Sequence, residues 1–252
     1  MSARNKEKYE GVVFYNKQGR EFKVLHYVNA FEIYIRFTGT GYETKAKLQH
    51  IKDGAVKDKL SPTVQGVGIV GNELISINRK AIKEYNIWFG MLNRCYSSNP
   101  RERNKTYLNC TVSENFKFYP YFKEWCNNQI GFNNKGWDLD KDILFKGSKV
   151  YSEDTCCFVP NEVNKLFTKS ESARGMLPIG VTSHKATGKY EAQMTSTGGS
   201  FYLGLYGAPE DAFNTYKQAK EDYIKEVANI WRDQIDVRVY TALMTYQVEI
   251  TD

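Results

Sequence analysis

The sequence predicts an α+β protein built from small parts, and three observations carry that prediction. Between residues 11 and 51, apolar and polar residues alternate in short runs separated by turn residues. Between residues 82 and 96, apolar residues return at helical spacing. Between residues 136 and 232, short strands followed by a helix occur twice.

Residues 11–15 read as a strand and 16–19 as a turn. Residues 21–28, with Phe22 and Val24, and 32–37, with Ile33, Ile35 and Phe37, alternate as strands, and 42–51 sets Lys45, Lys47 and His50 beside Ala46, Leu48 and Ile51. Strands this short and this closely spaced suggest a small barrel over residues 9–55. Its Lys45, Lys47 and Lys52 form either a solvated face or a contact to DNA or protein. Residues 56–80 read as a linker. Gly66, Gly68 and Gly71 within it spell a dinucleotide fingerprint, but no βαβ unit surrounds them, and they read as loop glycines.

A domain over residues 81–168 begins with the helix 82–96, where Ile87, Trp88, Met91, Leu92 and Cys95 form an apolar stripe. The loop that follows is basic, and Arg101 and Arg103 suit phosphate contact. Phe118, Tyr119, Phe122 and Trp125 on a helix over 116–127 read as core. Residues 137–145 then alternate Asp138, Asp140 and Asp142 with apolar neighbours, and 146–149 turn. Residues 155–159 form a second strand, and Pro160 opens a helix over 161–167 carrying Asn161 and Asn164. Carboxylates on the first strand and amides on the helix are hard oxygen donors of the kind that hold Mg²⁺ at a phosphate.

After a linker at 169–177, residues 178–232 read as three strands, turning at Gly188 and at Gly198-Gly199, and a helix from Pro209. That helix covers one face of the sheet with Ala212, Tyr216, Ala219 and Tyr223 and leaves the other free. A C-terminal extension, 233–252, packs back as a short helix or strand.

The net charge of +6 favours a polyanionic partner. Five cysteines without C-x-x-C spacing argue against a zinc site and a disulfide scaffold, and read as buried thiols. Neither an apolar leader nor an 18-residue apolar run is present, so the expected location is the cytoplasm, with no membrane partner.

Three stretches carry a resemblance. Leu139-Asp140-Lys141, then Thr155-Cys156-Cys157-Phe158, then Pro160 and Asn164 resemble the ββα-metal finger of HNH endonucleases. The version closest to it is found in bacteriophage proteins that join an HNH-like segment to an AP2 DNA-binding domain. Trp88, Met91, Arg94, Cys95 and Tyr96 resemble the lead-in of the same proteins, W-x-x-M-x-x-R-C-Y. Ile179-Gly180-Val181, Gly188-Lys189-Tyr190 with Ala192, Tyr202-Leu203-Gly204 and Glu210-Asp211-Ala212 are similar to an AP2 domain. The first segment resembles the SH3-like domain that precedes the finger in such proteins.

The resemblance implies an SH3-like barrel, an HNH-like finger and an AP2-like sheet. The implied activity is hydrolysis of DNA phosphodiesters with Mg²⁺ or Mn²⁺, as a homing or nicking enzyme, in the host cytoplasm if phage-encoded. Implied catalytic positions are Asp140, Lys141 and Thr155, and implied metal ligands are Asp140, Asp142 and Asn164. The family's base is a histidine where this chain has Lys141, and the family's middle Asn aligns with Thr155. The alternative is therefore a catalytically inactive HNH-fold protein that binds DNA in regulation or counter-defence. The AP2 likeness implies contacts to double-stranded DNA from Thr182, His184, Lys185, Gln193, Thr195, Ser200 and Tyr202, with Tyr216 reaching a phosphate. None of these is an arginine of the kind that pairs with guanine, each such pair being worth about 1–3 kcal/mol, so sequence reading is expected to be relaxed. A third reading gives the N-terminal barrel a host protein as partner.

Overall fold

The structure, a computed structural model, describes residues 2–99, 107–167, 177–196, 198–250 and 252. It is a mixed α+β protein with several small sheets. The chain divides into two compact units, Met1–Leu108 with Glu114–Lys123, and Asn109–Ser113 with Glu124–Asp252.

In the first unit, α1 (Ser2–Tyr9) precedes an antiparallel meander of β1 (Val13–Tyr15), β2 (Glu21–Asn29), β3 (Glu32–Phe37) and β4 (Glu43–Ala46). The alternation works as read: Phe22, Val24, Ile33, Ile35 and Phe37 all point into one core. The barrel does not close, because the strand order is β1-β2-β3-β4 with no pairing between β4 and β1 among the described residues. The chain leaves the ladder after Ala46. The Leu48 N–H donates to the Ala30 carbonyl, and the rest of the expected strand folds as α2 (Leu48–Lys52). Ile51 of α2 and Tyr9 of α1 then cover the core, Tyr9 stacking on Tyr27 at 5.8 Å.

The segment expected to be a linker is packed. Gly68 lies so close to Trp88 and Leu92 that a Cβ would overlap both, and Ile69 bridges to Phe118. It also forms a hairpin of β5 (Ser76–Ile77) and β6 (Lys80–Ala81). The helix foreseen at 82–96 is α3 (Lys83–Tyr96), with Trp88, Met91, Leu92 and Cys95 buried. The Trp88 indole donates to the Phe116 carbonyl at 2.6 Å. The helical lead-in thus belongs to the first unit.

The second unit begins with β7 (Thr111–Val112); α4 (Glu114–Lys117) and the start of α5 (Tyr119–Asn127) belong to the first unit. The second unit continues through β8 (Trp137–Asp140), β9 (Val150–Tyr151), β10 (Cys157–Pro160) and α6 (Asn161–Lys165). β11 (Val181–His184), β12 (Lys189–Ser196) and β13 (Gly199–Tyr206) form an antiparallel sheet in that order. The long α7 (Pro209–Trp231) and α8 (Val237–Met244) complete it. One end of α7 packs under the sheet through Ala212, Phe213 and Tyr216. At the other end Trp231 meets Trp137 edge to face at 5.9 Å, and its indole donates to Glu162 Oε2 at 2.9 Å. Val248, beyond α8, is buried in the core between sheet and helix. No described helix is long and apolar enough to cross a membrane.

Candidate functional site

Residues 137–165 fold in the expected order of strand, loop, strand and helix, with the short β9 inside the loop. β8 and β10 pair antiparallel, Asp140 opposite Cys157 and Trp137 opposite Pro160, and α6 follows at once. The Asn161 N–H donates to the Gly136 carbonyl at 2.9 Å, which ties the start of α6 to the start of β8. Trp125 and Phe132 pack on Phe158 behind the pair.

The first strand is shorter than its alternation suggests. Asp140 Oδ1 accepts from the N–H groups of Asp142 and Ile143, at 2.7 and 2.8 Å, and this Asx turn bends the chain off the ladder. Asp142 therefore leaves the strand, and the three aspartates do not share its face. Asp140 is half-buried, while Asp138 and Asp142 are exposed. Burial raises the Asp140 carboxyl above the ordinary carboxylate value; the Asp142 charge adds to this, while the two backbone N–H bonds and Lys141 oppose it. Its Oδ2 makes no hydrogen bond among the described residues.

Lys141 is the least expected part of the site. Its side chain is only 6% exposed, and its ammonium donates to both oxygens of Asp142 at 2.8 Å and to the Ser148 carbonyl at 2.6 Å. Thr155 is likewise committed. Its hydroxyl donates to the Val150 carbonyl at 2.7 Å and accepts from the Ser152 N–H at 3.0 Å, closing the turn before β10. Lys141 and Thr155, two of the three positions that the resemblance gives to catalysis, hold loops in place here.

Asn164 sits half-buried on α6, which packs on β8 and β10. Of the three residues expected to hold Mg²⁺ or Mn²⁺, Asp142 has both oxygens bonded by the Lys141 ammonium, while Asp140 uses only Oδ1 in its turn. No group of three His, Cys, Asp or Glu suited to a metal is present among the described residues. All five cysteines are free and buried, and burial pushes the Cys156 thiol up to about 12.

The three-stranded sheet gathers the residues expected at DNA. In the β12–β13 register Gln193 lies opposite Tyr202 and Thr195 opposite Ser200, and in β11–β12 Thr182 faces Glu191 and His184 faces Lys189. The strands' alternate residues, Val181, Ala192 and Met194, point under the sheet into the helix. Thr182, Gln193, Thr195, Ser200 and Tyr202 are exposed, Tyr202 at 64%. Lys185 is exposed in the turn after β11, and His184 Nδ1 lies 2.9 Å from Thr187 Oγ1 across that turn. A bulge at Leu203, next to Gly204 at φ 142°, keeps Tyr202 in step with Gln193.

Tyr216 is a correction. It lies beneath the sheet, on the helix face that the spacing gave it, but it is only 6% exposed and packs against Gly180, which does not suit the phosphate contact implied by the resemblance. Arg101 and Arg103 lie outside the described residues. Glu191 and Lys189 were missed as members of the face, although the alternation that selects Gln193 and Thr195 selects them too. Glu191 accepts from the Gln193 amide and places a carboxylate mid-face.

No family model, no curated protein and no solved structure matches the chain.

Proposed function

We propose that this protein binds double-stranded DNA through the open face of β11–β13, and that its ββα unit acts as a scaffold and not as a nuclease. The finer folds are read in the same terms. The first sheet is an opened SH3-like meander, β8–β10–α6 an HNH-like finger, and β11–β13 with α7 an AP2-like domain. The observation that carries the proposal is the register that sets Thr182, Gln193, Thr195, Ser200 and Tyr202 on one uncovered face. Such a face is polar, carries donors and acceptors for base edges, and is of the kind that strand readers lay in a groove. The scaffold role rests on Lys141 and Thr155, whose polar groups are spent on Asp142, Ser148 and Val150. In this reading the protein acts in regulation or counter-defence, in the host cytoplasm if phage-encoded, with a host protein as a further partner of the first unit.

Hydrolysis of DNA by the finger is a second reading, favoured by one observation. Asp140 keeps Oδ2 free and has its carboxyl raised by burial, the direction a general base requires. Incubation of the full chain and of Asp140→Ala with supercoiled plasmid, in Mg²⁺, Mn²⁺ or EDTA, separates the two. Gel shifts run in parallel are expected to show binding by both proteins with the plasmid intact. Metal-dependent nicking lost in Asp140→Ala would replace the scaffold by the nuclease.

A further inference from the structure

The positive charge of this chain is unevenly placed. Residues 1–100 carry 16 Lys and Arg against 9 Asp and Glu, whereas residues 101–252 carry 19 against 20. The segment holding the three-stranded sheet therefore brings no net attraction for a polyanion, and Glu191 sits on its open face. If DNA is bound, the long-range attraction has to come from elsewhere in the chain.

Within the first unit the cations fall into two groups. On the outer sheet face two of them are neutralised, Arg36 by Glu43 and Lys45 by Glu32 at 2.7 Å, while Lys23 opposite Arg36 is exposed. At the edge where α1, α2 and the β1–β2 turn meet, the cations are not neutralised. Lys8 and Lys52 lie over the same Tyr9 ring, at 5.5 and 6.0 Å. The Lys17 N–H donates to the Gly54 carbonyl at 2.8 Å, which brings the β1–β2 turn against the end of α2. Buried Asn16 donates to the Val56 carbonyl at 3.1 Å and so holds Lys57 beside that turn. Lys8, Lys17, Lys52 and Lys57 are all exposed, and none has an ion-pair partner among the described residues. The carboxylates nearest in sequence, Asp53 and Asp58, keep their charge but bond to neutral donors and not to these lysines. Both oxygens of Asp53 accept from the Gln49 amide, and buried Asp58 accepts from the Thr40 hydroxyl.

We infer that this edge of the first unit is a phosphate-backbone contact for nucleic acid, built from Lys8, Lys17, Lys52 and Lys57. It supplies salt-dependent affinity that carries no sequence information, while the open face of β11–β13 supplies what sequence preference there is. The inference extends the DNA-binding reading but stands on its own residues.

The test compares the full chain with the variant Lys8→Gln/Lys17→Gln/Lys52→Gln/Lys57→Gln on a short duplex of random sequence across a salt series. Each phosphate contact contributes about 0.9 to the slope of log K against log salt, so the slope is expected to shrink by about 3 when most of the four are lost. An unchanged slope, in a variant that melts like the parent, overturns the inference. Binding to vesicles of anionic lipid that the same variant loses, with no change in its DNA slope, overturns it in favour of a membrane surface. Gln193→Ala/Tyr202→Ala keeps the slope and loses discrimination between duplexes. If that second variant discriminates as the parent does, the sheet reading fails while the lysine contact stands.

Discussion

Lys141 and Asp142 are adjacent in sequence and bonded in space: the Lys141 ammonium lies 2.8 Å from each oxygen of its neighbour's carboxylate while its stem is buried. An ammonium so placed, with a third bond to the Ser148 carbonyl, joins the end of β8 to the loop that returns toward β9. Replacing it by Lys141→Met keeps the apolar stem and removes all three bonds. The expected loss is about 1–3 kcal/mol, since charge-assisted bonds near a protein interior are worth about that much. Thermal melting measures it, and an unchanged melting temperature would show that the lysine is not a structural post.

Asp140 predicts an unusual pH dependence. Its carboxyl is raised by burial, so between the unfolded value of about 3.9 and the higher folded value the native state binds more protons than the unfolded chain. Stability contributed by this residue therefore falls as pH rises through that window and is level above it, the reverse of a salt-bridged aspartate. Asp140→Asn keeps an oxygen for the Asp142 and Ile143 N–H groups and removes the titration. Its melting temperature relative to the parent should climb as pH passes upward through the window. Parallel curves for the two proteins would contradict the cause assigned here.

Gly180 has φ +74°, and a Cβ there would overlap the Tyr216 ring; Gly188 has φ +69° and nothing within 4 Å. Gly180→Ala is expected to cost about 2–4 kcal/mol, from the left-handed backbone and the clash together. Gly188→Ala should cost about 1–2 kcal/mol from the backbone alone. Denaturant midpoints of the two variants test the difference.

Glu191 stands mid-face among the residues proposed to meet DNA. Glu191→Gln removes a like-charge repulsion from phosphate and should tighten binding a few-fold, about 0.5–1 kcal/mol. Weaker binding would mean that the carboxylate accepts a bond from a base, as it can from cytosine.

The order of elements was largely legible because it rests on periodicity. Ile33, Ile35 and Phe37 pointed inward as read, and β3 has the bounds the alternation suggested. The three strands after residue 178 and the helix from Pro209 followed from turn glycines and apolar spacing. What could not be read was decided by side chains acting on backbone. The Asx bond of Asp140 ended β8 four residues into its run. Helical spacing put Tyr216 on the face that covers the sheet, where it lies, but spacing does not say how deep that face is, and the depth leaves the phosphate contact implied by the resemblance unsuited to it. The commitment of Lys141 depended on Ser148, seven residues away and in a different turn.

The helix α7 has a consequence for how this chain can change. Tyr216 under the sheet and Trp231 against Trp137 are fixed by packing at both ends of one continuous helix. Each residue added between them would turn everything beyond it by about 100° and advance it about 1.5 Å. A single insertion would swing Trp231 off both Trp137 and Glu162, whereas seven residues make close to two full turns and restore the phase. Length changes in this helix are therefore tolerated only in near-whole turns, so the spacing between the β8–β10 pair and the sheet can change only in discrete steps.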